Sequence, residues 1–151
     1  RAMSSRYAAT GAQNIASPSD TTCTLTGETT TRGFVYFFCF SSAGTPADNA
    51  IEWIVQRVTT DGTGTAVAAA LLDLAEAAEL CDFTENQTVE PTYTAATEVF
   101  DNAINQRMTL QVNCTPDGEF VIPATAAAGF GWVPVHASAT VITECTVHWY
   151  E

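Results

Sequence analysis

The sequence predicts an all-β protein, specifically a jelly-roll-like antiparallel β-sandwich. Several segments alternate apolar and polar residues with a period of two, as strands do when only one face is buried. Turn-forming Gly, Pro, Asp and Asn residues separate these segments at intervals of roughly 8–12 residues, which is typical of sandwiches. The chain has 151 residues, of which 46% are hydrophobic and 15% are charged. This composition favours a single compact core.

The clearest strand signal lies between Arg107 and Cys114, where apolar and polar residues alternate strictly. The turn-forming segment Thr115–Gly118 follows, and we expect Gly118 to adopt a positive φ there. Glu119–Ile122 is then predicted to be a short return strand that ends at Pro123, which cannot donate to a sheet. The pattern predicts a β-hairpin. Because the other strands are less well marked, we expect this hairpin to be the organising unit of the fold.

The remaining elements are predicted in chain order. Residues 1–19 are expected to form an extended N-terminal arm, followed by one sandwich domain over residues 20–151. Because Gly33–Phe40 is almost entirely apolar, it should be covered on both faces by a second sheet or by another subunit. The alanine- and leucine-rich stretch after Thr65 predicts a strand edge and then a short helix near residues 70–80. Further strands are expected at 23–27, 51–60, 97–104 and 140–150.

The charge of the chain narrows its range of partners. It contains 5 basic and 17 acidic residues, which gives a formal net charge of −12. Such a chain repels nucleic-acid phosphates and anionic lipids, so we expect neither direct nucleic-acid binding nor membrane-surface binding. No stretch approaches the roughly 20 apolar residues of a membrane helix. The acidity suits a positively charged protein partner, or it simply maintains solubility.

Motifs of catalysis and cofactor binding are missing from the sequence. There is no Gly-x-Ser-x-Gly elbow, phosphate-binding loop or His-Glu-x-x-His motif. His136 and His148 each stand apart from any carboxylate motif. The sequence therefore predicts a protein that is not an enzyme and has no cofactor, metal or small-molecule substrate.

The cysteines show no metal-binding spacing. They are widely and irregularly spaced and include no Cys-x-x-Cys pair, which disfavours zinc. The strand positions of Cys39, Cys114 and Cys145 fit buried free thiols, with a structural disulfide as the alternative. The five cysteines are Cys23, Cys39, Cys81, Cys114 and Cys145.

Arg107 is the only basic residue after Arg57. It stands in the sequence amid the acidic residues Glu98, Asp101 and Glu119. An arginine can form a fork-shaped pair with a carboxylate. We therefore interpret Arg107 as a structural salt-bridge residue that fixes the hairpin.

The second half of the chain carries short motifs that resemble one group of known proteins. They are Asn105-Gln106-Arg107, the turn residues Pro116, Gly118 and Glu119, the run from Val121 to Gly129, the ending Thr146, Val147, His148 and Glu151, and the earlier segment from Glu90 to Thr94. Over residues 90–151 the chain resembles small structural proteins of tailed phages, in particular capsid decoration (cement) and minor virion proteins. The preceding residues match that group only in their general strand pattern.

The resemblance implies a virion structural protein on the capsid exterior. Proteins of this kind are sandwich or jelly-roll domains that sit on the shell as homotrimers and bind the major capsid protein between capsomers. On this interpretation, the contact residues expected are Arg6 and Tyr7 in the arm, and Phe130, Trp132 and Val133 near the glycines. Ordinary core filling is the alternative for Phe130 and Trp132.

A β-sandwich with exposed tryptophans also fits a second class of protein, a carbohydrate-binding module. In that case Trp53, Trp132 or Trp149 would stack against sugar rings. A sugar-binding monomer would favour this hypothesis, whereas a trimer that ignores sugars would favour the capsid hypothesis.

Overall fold

The computed structural model describes residues 4–15, 21–135 and 141–151, and within them it contains twelve β-strands and no helix. The strands are β1 (Arg6–Ile15), β2 (Cys23–Thr26), β3 (Gly33–Ala43), β4 (Ala50–Thr60), β5 (Thr63–Ala66), β6 (Ala70–Leu71), β7 (Asp82–Val89), β8 (Thr92–Asn105), β9 (Leu110–Asn113), β10 (Phe120–Ile122), β11 (Gly129–Val135) and β12 (Val141–Tyr150).

Two antiparallel sheets pack face to face. The first sheet has the order β10-β3-β12-β1-β6, with β9 also paired to β3, and the second sheet has the order β5-β7-β2-β11-β4-β8. Each sheet turns one face towards a shared interior, so alternate residues of β4 and β12 are buried. The predicted antiparallel β-sandwich is confirmed.

Aromatic side chains fill most of the space between the sheets. Trp53, Trp132 and Trp149 are fully buried. The ring of Phe40 stacks on Trp53 at a centroid distance of 4.3 Å, and Phe38 meets Trp132 at 6.2 Å. Complete burial of a large apolar side chain stabilises a fold by about 1.5–3 kcal/mol. These rings therefore supply a large part of the force that holds the two sheets together.

Threonine and glutamine side chains extend the interior with hydrogen bonds. The hydroxyls of Thr22 and Thr143 lie 2.7 Å apart and link the two sheets. Gln13 donates its side-chain amide to the backbone oxygen of Gln87 at 3.3 Å. Buried polar groups are tolerated when they find partners of this kind. The buried residues of β2 can therefore include threonine as well as cysteine and leucine.

The predicted N-terminal arm is wrong for residues 6–15, which form β1 inside the first sheet. This strand pairs with β12 along its whole length and with β6 on its other side. Two of its four buried residues, Ala9 and Gly11, are small, and a Cβ added at Gly11 would lie 2.9 Å from the Cβ of Cys23. Small residues give a weak hydrophobic pattern, which is why the sequence did not reveal a core strand. Residues 1–3 and 16–19 of the expected arm lie outside the described residues.

The predicted short helix near residues 70–80 is also wrong. After β6 the chain forms a loop. Acidic side chains fasten this region by accepting hydrogen bonds from backbone N–H groups. Glu151 accepts from Leu80 at 2.9 Å and from Cys81 at 2.8 Å, and Glu79 accepts from Ala69 at 2.8 Å. Long-range hydrogen bonds outweigh the helix propensity of alanine and leucine here, because propensity is a weak preference.

The predicted hairpin is replaced by one interrupted edge strand. Strands β9 and β10 do not pair with each other; both run antiparallel to β3, beside Phe37–Phe40 and Gly33–Val35 respectively. The intervening loop turns where the Gly118 N–H donates to the Thr115 oxygen at 2.8 Å. Asp117, rather than Gly118, has the positive φ of 67°. A turn signal predicted the bend correctly but could not say which strand lies alongside.

Candidate interaction site on the outer face of the first sheet

Three of the predicted contact residues lie in the core of the single chain. Tyr7 is 2% exposed, Phe130 is 1% exposed and Trp132 is fully buried. The Tyr7 hydroxyl donates to the Ala77 oxygen at 3.1 Å, which ties β1 to the loop after β6. Ordinary core filling, the alternative considered for Phe130 and Trp132, therefore describes their positions, and it describes Tyr7 as well.

The other two predicted contact residues lie on different sheets. Arg6 is exposed and is the register partner of Tyr150 on the first sheet. Val133 is 6% exposed and lines a shallow groove of about 280 Å³ on the second sheet, together with Tyr93 and Ile54. Burial raises the pKa of the Tyr93 phenol. The structure therefore does not unite the five residues in one surface.

Among residues 4–15, 21–135 and 141–151, a group of partly exposed aromatic residues lies instead on the outer face of the first sheet. We call this group the outer aromatic patch, and it consists of Phe34, Tyr36, Phe37, His148 and Tyr150. Its members come from the two neighbouring strands β3 and β12. Exposed aromatic groups of this kind are typical of surfaces that bind other molecules.

A β-bulge produces the patch. His148 is the register partner of Phe37, and Trp149 is the partner of Val35, so Tyr36 is an extra residue in β3. Tyr36 and Phe37 are consequently both partly exposed, while Val35 and Phe38 remain buried. A bulge places two successive residues opposite one partner residue and redirects their side chains. Without it, strict alternation would send Phe37 to the face opposite that of Tyr36.

The rings of the patch are in mutual contact. Phe34 stacks on Tyr150 with a centroid distance of 4.9 Å and an interplanar angle of 11°. The His148 imidazole lies 4.8 Å from the Phe37 ring and 5.9 Å from the Tyr36 ring. Aromatic pairs in these ranges gain about 0.5–1.5 kcal/mol beyond simple area burial. The patch is therefore held together before any partner arrives.

Two groups in the patch have altered proton affinity. Burial lowers the pKa of the His148 imidazole below its ordinary value. Burial also raises the pKa of Tyr36, and the positive charge of Arg6 partly offsets this effect. Both shifts favour the uncharged form of the side chain. The patch thus presents mainly neutral aromatic surface near neutral pH.

An open groove of about 450 Å³ borders the patch. Phe34 and Tyr150 form its aromatic wall, and Asp117 and Glu119 supply carboxylates from the loop between β9 and β10. The Tyr150 hydroxyl donates to Glu119 at 3.4 Å. Ser4 and Val121 complete the lining. We call this feature the acidic groove.

A second apolar feature projects from the loop after β6. Leu74 is 90% exposed, Leu80 is 49% exposed and Leu72 is 44% exposed. Hydrogen bonds hold this loop to β1, where the Leu72 N–H donates to the Arg6 oxygen at 2.9 Å, and to Ser5, whose hydroxyl donates to Glu76 at 2.6 Å. The leucines are thus displayed on a fastened loop. Three exposed leucines in nine residues add to the apolar area available to a partner.

Two other sequence interpretations need correction. All three tryptophans are fully buried, so none of them can stack on a sugar in this fold. The Arg107 guanidinium donates from Nε to the Pro46 oxygen at 3.3 Å, so in the described part of the chain a backbone carbonyl takes the place of the expected carboxylate. Arg107 thus anchors the loop before β4.

The described residues contain no group of three or more His, Cys, Asp or Glu side chains that could hold a metal ion. No helix capable of crossing a membrane was found among them either. His136 lies outside the described residues. His148 is the one histidine whose surroundings can be stated, and its ring contacts are aromatic.

Comparison with protein-family models, with curated proteins and with solved structures found no match to this chain. The geometry described above shows an antiparallel two-sheet sandwich with an aromatic outer face and an acidic groove. Sequence reasoning missed this surface, although one signal for it was present. The adjacent aromatic residues Tyr36 and Phe37 interrupt the alternation of β3, and such an interruption is the mark of a bulge.

Proposed function

We propose that this chain is a virion structural protein, a capsid decoration protein that binds between capsomers and stabilises the shell. It acts by burying apolar surface against other polypeptides rather than by catalysis. Its partners are the major capsid protein and two further copies of itself, in a homotrimer on the capsid exterior. The sequence resemblance of residues 90–151 supplies the virion setting of this proposal.

The outer aromatic patch is the observation that carries the proposal. The bulged strand β3 and its neighbour β12 together keep five aromatic side chains partly exposed, although the interior of the sandwich is already rich in buried aromatic residues. Buried aromatic anchors contribute most of the binding energy in many protein interfaces. The imidazole of His148 packs between rings, an arrangement that supplies contact area rather than a base for proton transfer.

The exposed leucines and the charge of the chain support the same proposal. Leu72, Leu74 and Leu80 provide a second apolar contact area at the edge of the first sheet. Two separate contact areas on one module suit a protein that touches both sister copies and shell subunits. The net charge of −12 disfavours nucleic acid and anionic membranes as the partner.

The proposal is tested by measuring assembly and location together. We expect the purified chain to sediment as a trimer, and we expect an antibody against it to label the outside of intact virions. We also expect shells that carry the chain to melt at a higher temperature than shells that lack it. A monomer that is absent from purified virions would contradict the proposal.

The acidic groove favours a second candidate function, carbohydrate binding. Sugar rings stack on aromatic faces, and sugar hydroxyls donate to carboxylates such as Asp117 and Glu119. The candidate residues are then Phe34 and Tyr150 instead of the buried tryptophans. A glycan array distinguishes the two functions, since sugar binding that is lost in Phe34→Ala would favour this candidate and a blank array would favour the capsid proposal.

A further inference from the structure

One row of residues across the first sheet connects the aromatic wall of the acidic groove with the cationic residue Arg6. By register, Val121 lies beside Phe34, Phe34 beside Tyr150, and Tyr150 beside Arg6, across β10, β3, β12 and β1. One end of this row therefore lies next to the loop that carries two carboxylates, and the other end carries a cation. The stacked rings of Phe34 and Tyr150 separate the two ends.

The carboxylates are held by the loop that carries them. Asp117 sits at the positive-φ position of a turn that the Gly118 N–H closes at 2.8 Å. Glu119 immediately precedes β10 and accepts a hydrogen bond from Tyr150 at 3.4 Å. A partner group entering the groove would therefore meet two negative charges beside an aromatic wall.

We infer that the acidic groove receives an arginine side chain of the protein partner; this inference rests on the proposed function. The guanidinium plane stacks on the wall formed by Phe34 and Tyr150, and its N–H groups donate to Asp117 and Glu119. Arginine fits both parts of the groove because its planar cation stacks on aromatic rings and forks towards carboxylates.

Charge complementarity favours this occupant over the alternatives. The groove carries two carboxylates on a chain of net charge −12. An acidic peptide or a phosphate would be repelled there, and a purely apolar side chain would make no charged interaction with the two carboxylates. Lysine provides the charge but lacks the planar surface for stacking. Arg6 lies at the opposite end of the row, on the far side of Tyr150 from the strand that follows the carboxylate loop.

The test uses the full-length chain and two blocked pentapeptides, Gly-Ser-Arg-Ser-Gly and its citrulline analogue. Citrulline keeps the shape of arginine but has no charge. We expect the arginine peptide to shift the ring NMR signals of Phe34 and Tyr150, and to bind about tenfold more tightly than the citrulline peptide. Added salt should weaken the arginine binding because the site is near the surface.

Matched variants connect this binding to the groove. The double variant Asp117→Asn/Glu119→Gln removes two charges while retaining a residue that tolerates positive φ and an acceptor for Tyr150. We expect it to lose about tenfold in affinity for the arginine peptide. The control Glu98→Gln/Asp101→Asn removes two exposed charges from β8 in the second sheet and should change this affinity less than twofold.

Three outcomes would overturn the inference. They are equal binding of the two peptides, equal losses in the groove and control variants, and binding of a neutral sugar at Phe34 in place of the arginine peptide. Failure here differs from failure of the proposed function. If shells bind the wild-type chain and the variant Asp117→Asn/Glu119→Gln equally well, the arginine site is wrong and the proposed decoration role stands.

Discussion

Phe34 and Tyr150 stack nearly parallel on the outer side of the first sheet, with centroids 4.9 Å apart and planes 11° from parallel. They are cross-strand neighbours on β3 and β12, and neither ring is buried in the core. The bulge at Tyr36 extends this pair into a larger aromatic surface. The proposed decoration function requires that a partner can reach this surface.

Phe37 and Phe38 are adjacent in the sequence but differ in burial, and their alanine variants should differ accordingly. Phe38 is fully buried among aromatic rings, so Phe38→Ala should lower the free energy of unfolding by about 3–5 kcal/mol. Phe37→Ala should cost only about 1 kcal/mol because its ring is partly exposed. Urea denaturation measures both values. Similar losses would mean that the patch belongs to the core.

Gly11 tests whether β1 is an interior strand. A side chain at this position would press on Cys23, Glu85 and Phe83, so Gly11→Val should destabilise the fold by about 1–3 kcal/mol or more. The control Thr10→Val changes an exposed position and removes a hydroxyl contact with Thr146, which should cost about 1 kcal/mol. If residues 6–15 formed a free arm, neither variant would alter the unfolding curve.

The cysteines should divide into two classes when the native protein is labelled. Cys23, Cys81 and Cys145 are buried, and burial raises the pKa of Cys81 and Cys145. Fewer of the Cys81 and Cys145 thiols are thiolates at pH 8, and reagents cannot reach any of the three buried cysteines. Mass spectrometry should find Cys39 and Cys114 modified first and the other three only after unfolding. Five equally fast thiols would contradict the buried positions.

His148 should give the stability a pH dependence that its replacement removes. Because the folded pKa is lowered, the unfolded state binds more protons, and stability is lost as the pH falls through the unfolded value near 6.5. His148→Gln should therefore lose less stability than the wild type between pH 7.5 and pH 5.5. Paired denaturation curves at the two pH values provide the comparison. An identical pH dependence would show that His148 is not desolvated.

The sequence predicted the class of fold because alternation is strong where strands are half-buried. Val141–Tyr150 alternates clearly, and it forms β12 between β3 and β1. Residues 6–15 escaped the same reasoning because their inward positions hold alanine and glycine beside Tyr7 and Gln13. The helix prediction failed because loop hydrogen bonds to Glu79 and Glu151 depend on residues brought together only by folding.

The candidate site was harder to predict than the fold. Large aromatic residues such as Phe130 and Trp132 look alike in sequence whether they fill a core or bind a partner. Only the pairing of strands showed that Tyr36 is an extra residue and that Phe34 meets Tyr150. Likewise, the sequence pattern predicted that β9 and β10 pair as a hairpin, and only the structure shows that both strands pair with β3 instead.

The most direct test of the account is the binding of this chain to purified shells when the outer aromatic patch is changed. The double variant Phe34→Ser/Phe37→Ser keeps the core residues intact, and Val99→Ser on β8 serves as an exposed control on the second sheet. We predict that co-sedimentation with shells falls at least about tenfold for the double variant and stays unchanged for Val99→Ser. Full shell occupancy by a folded double variant would contradict the account.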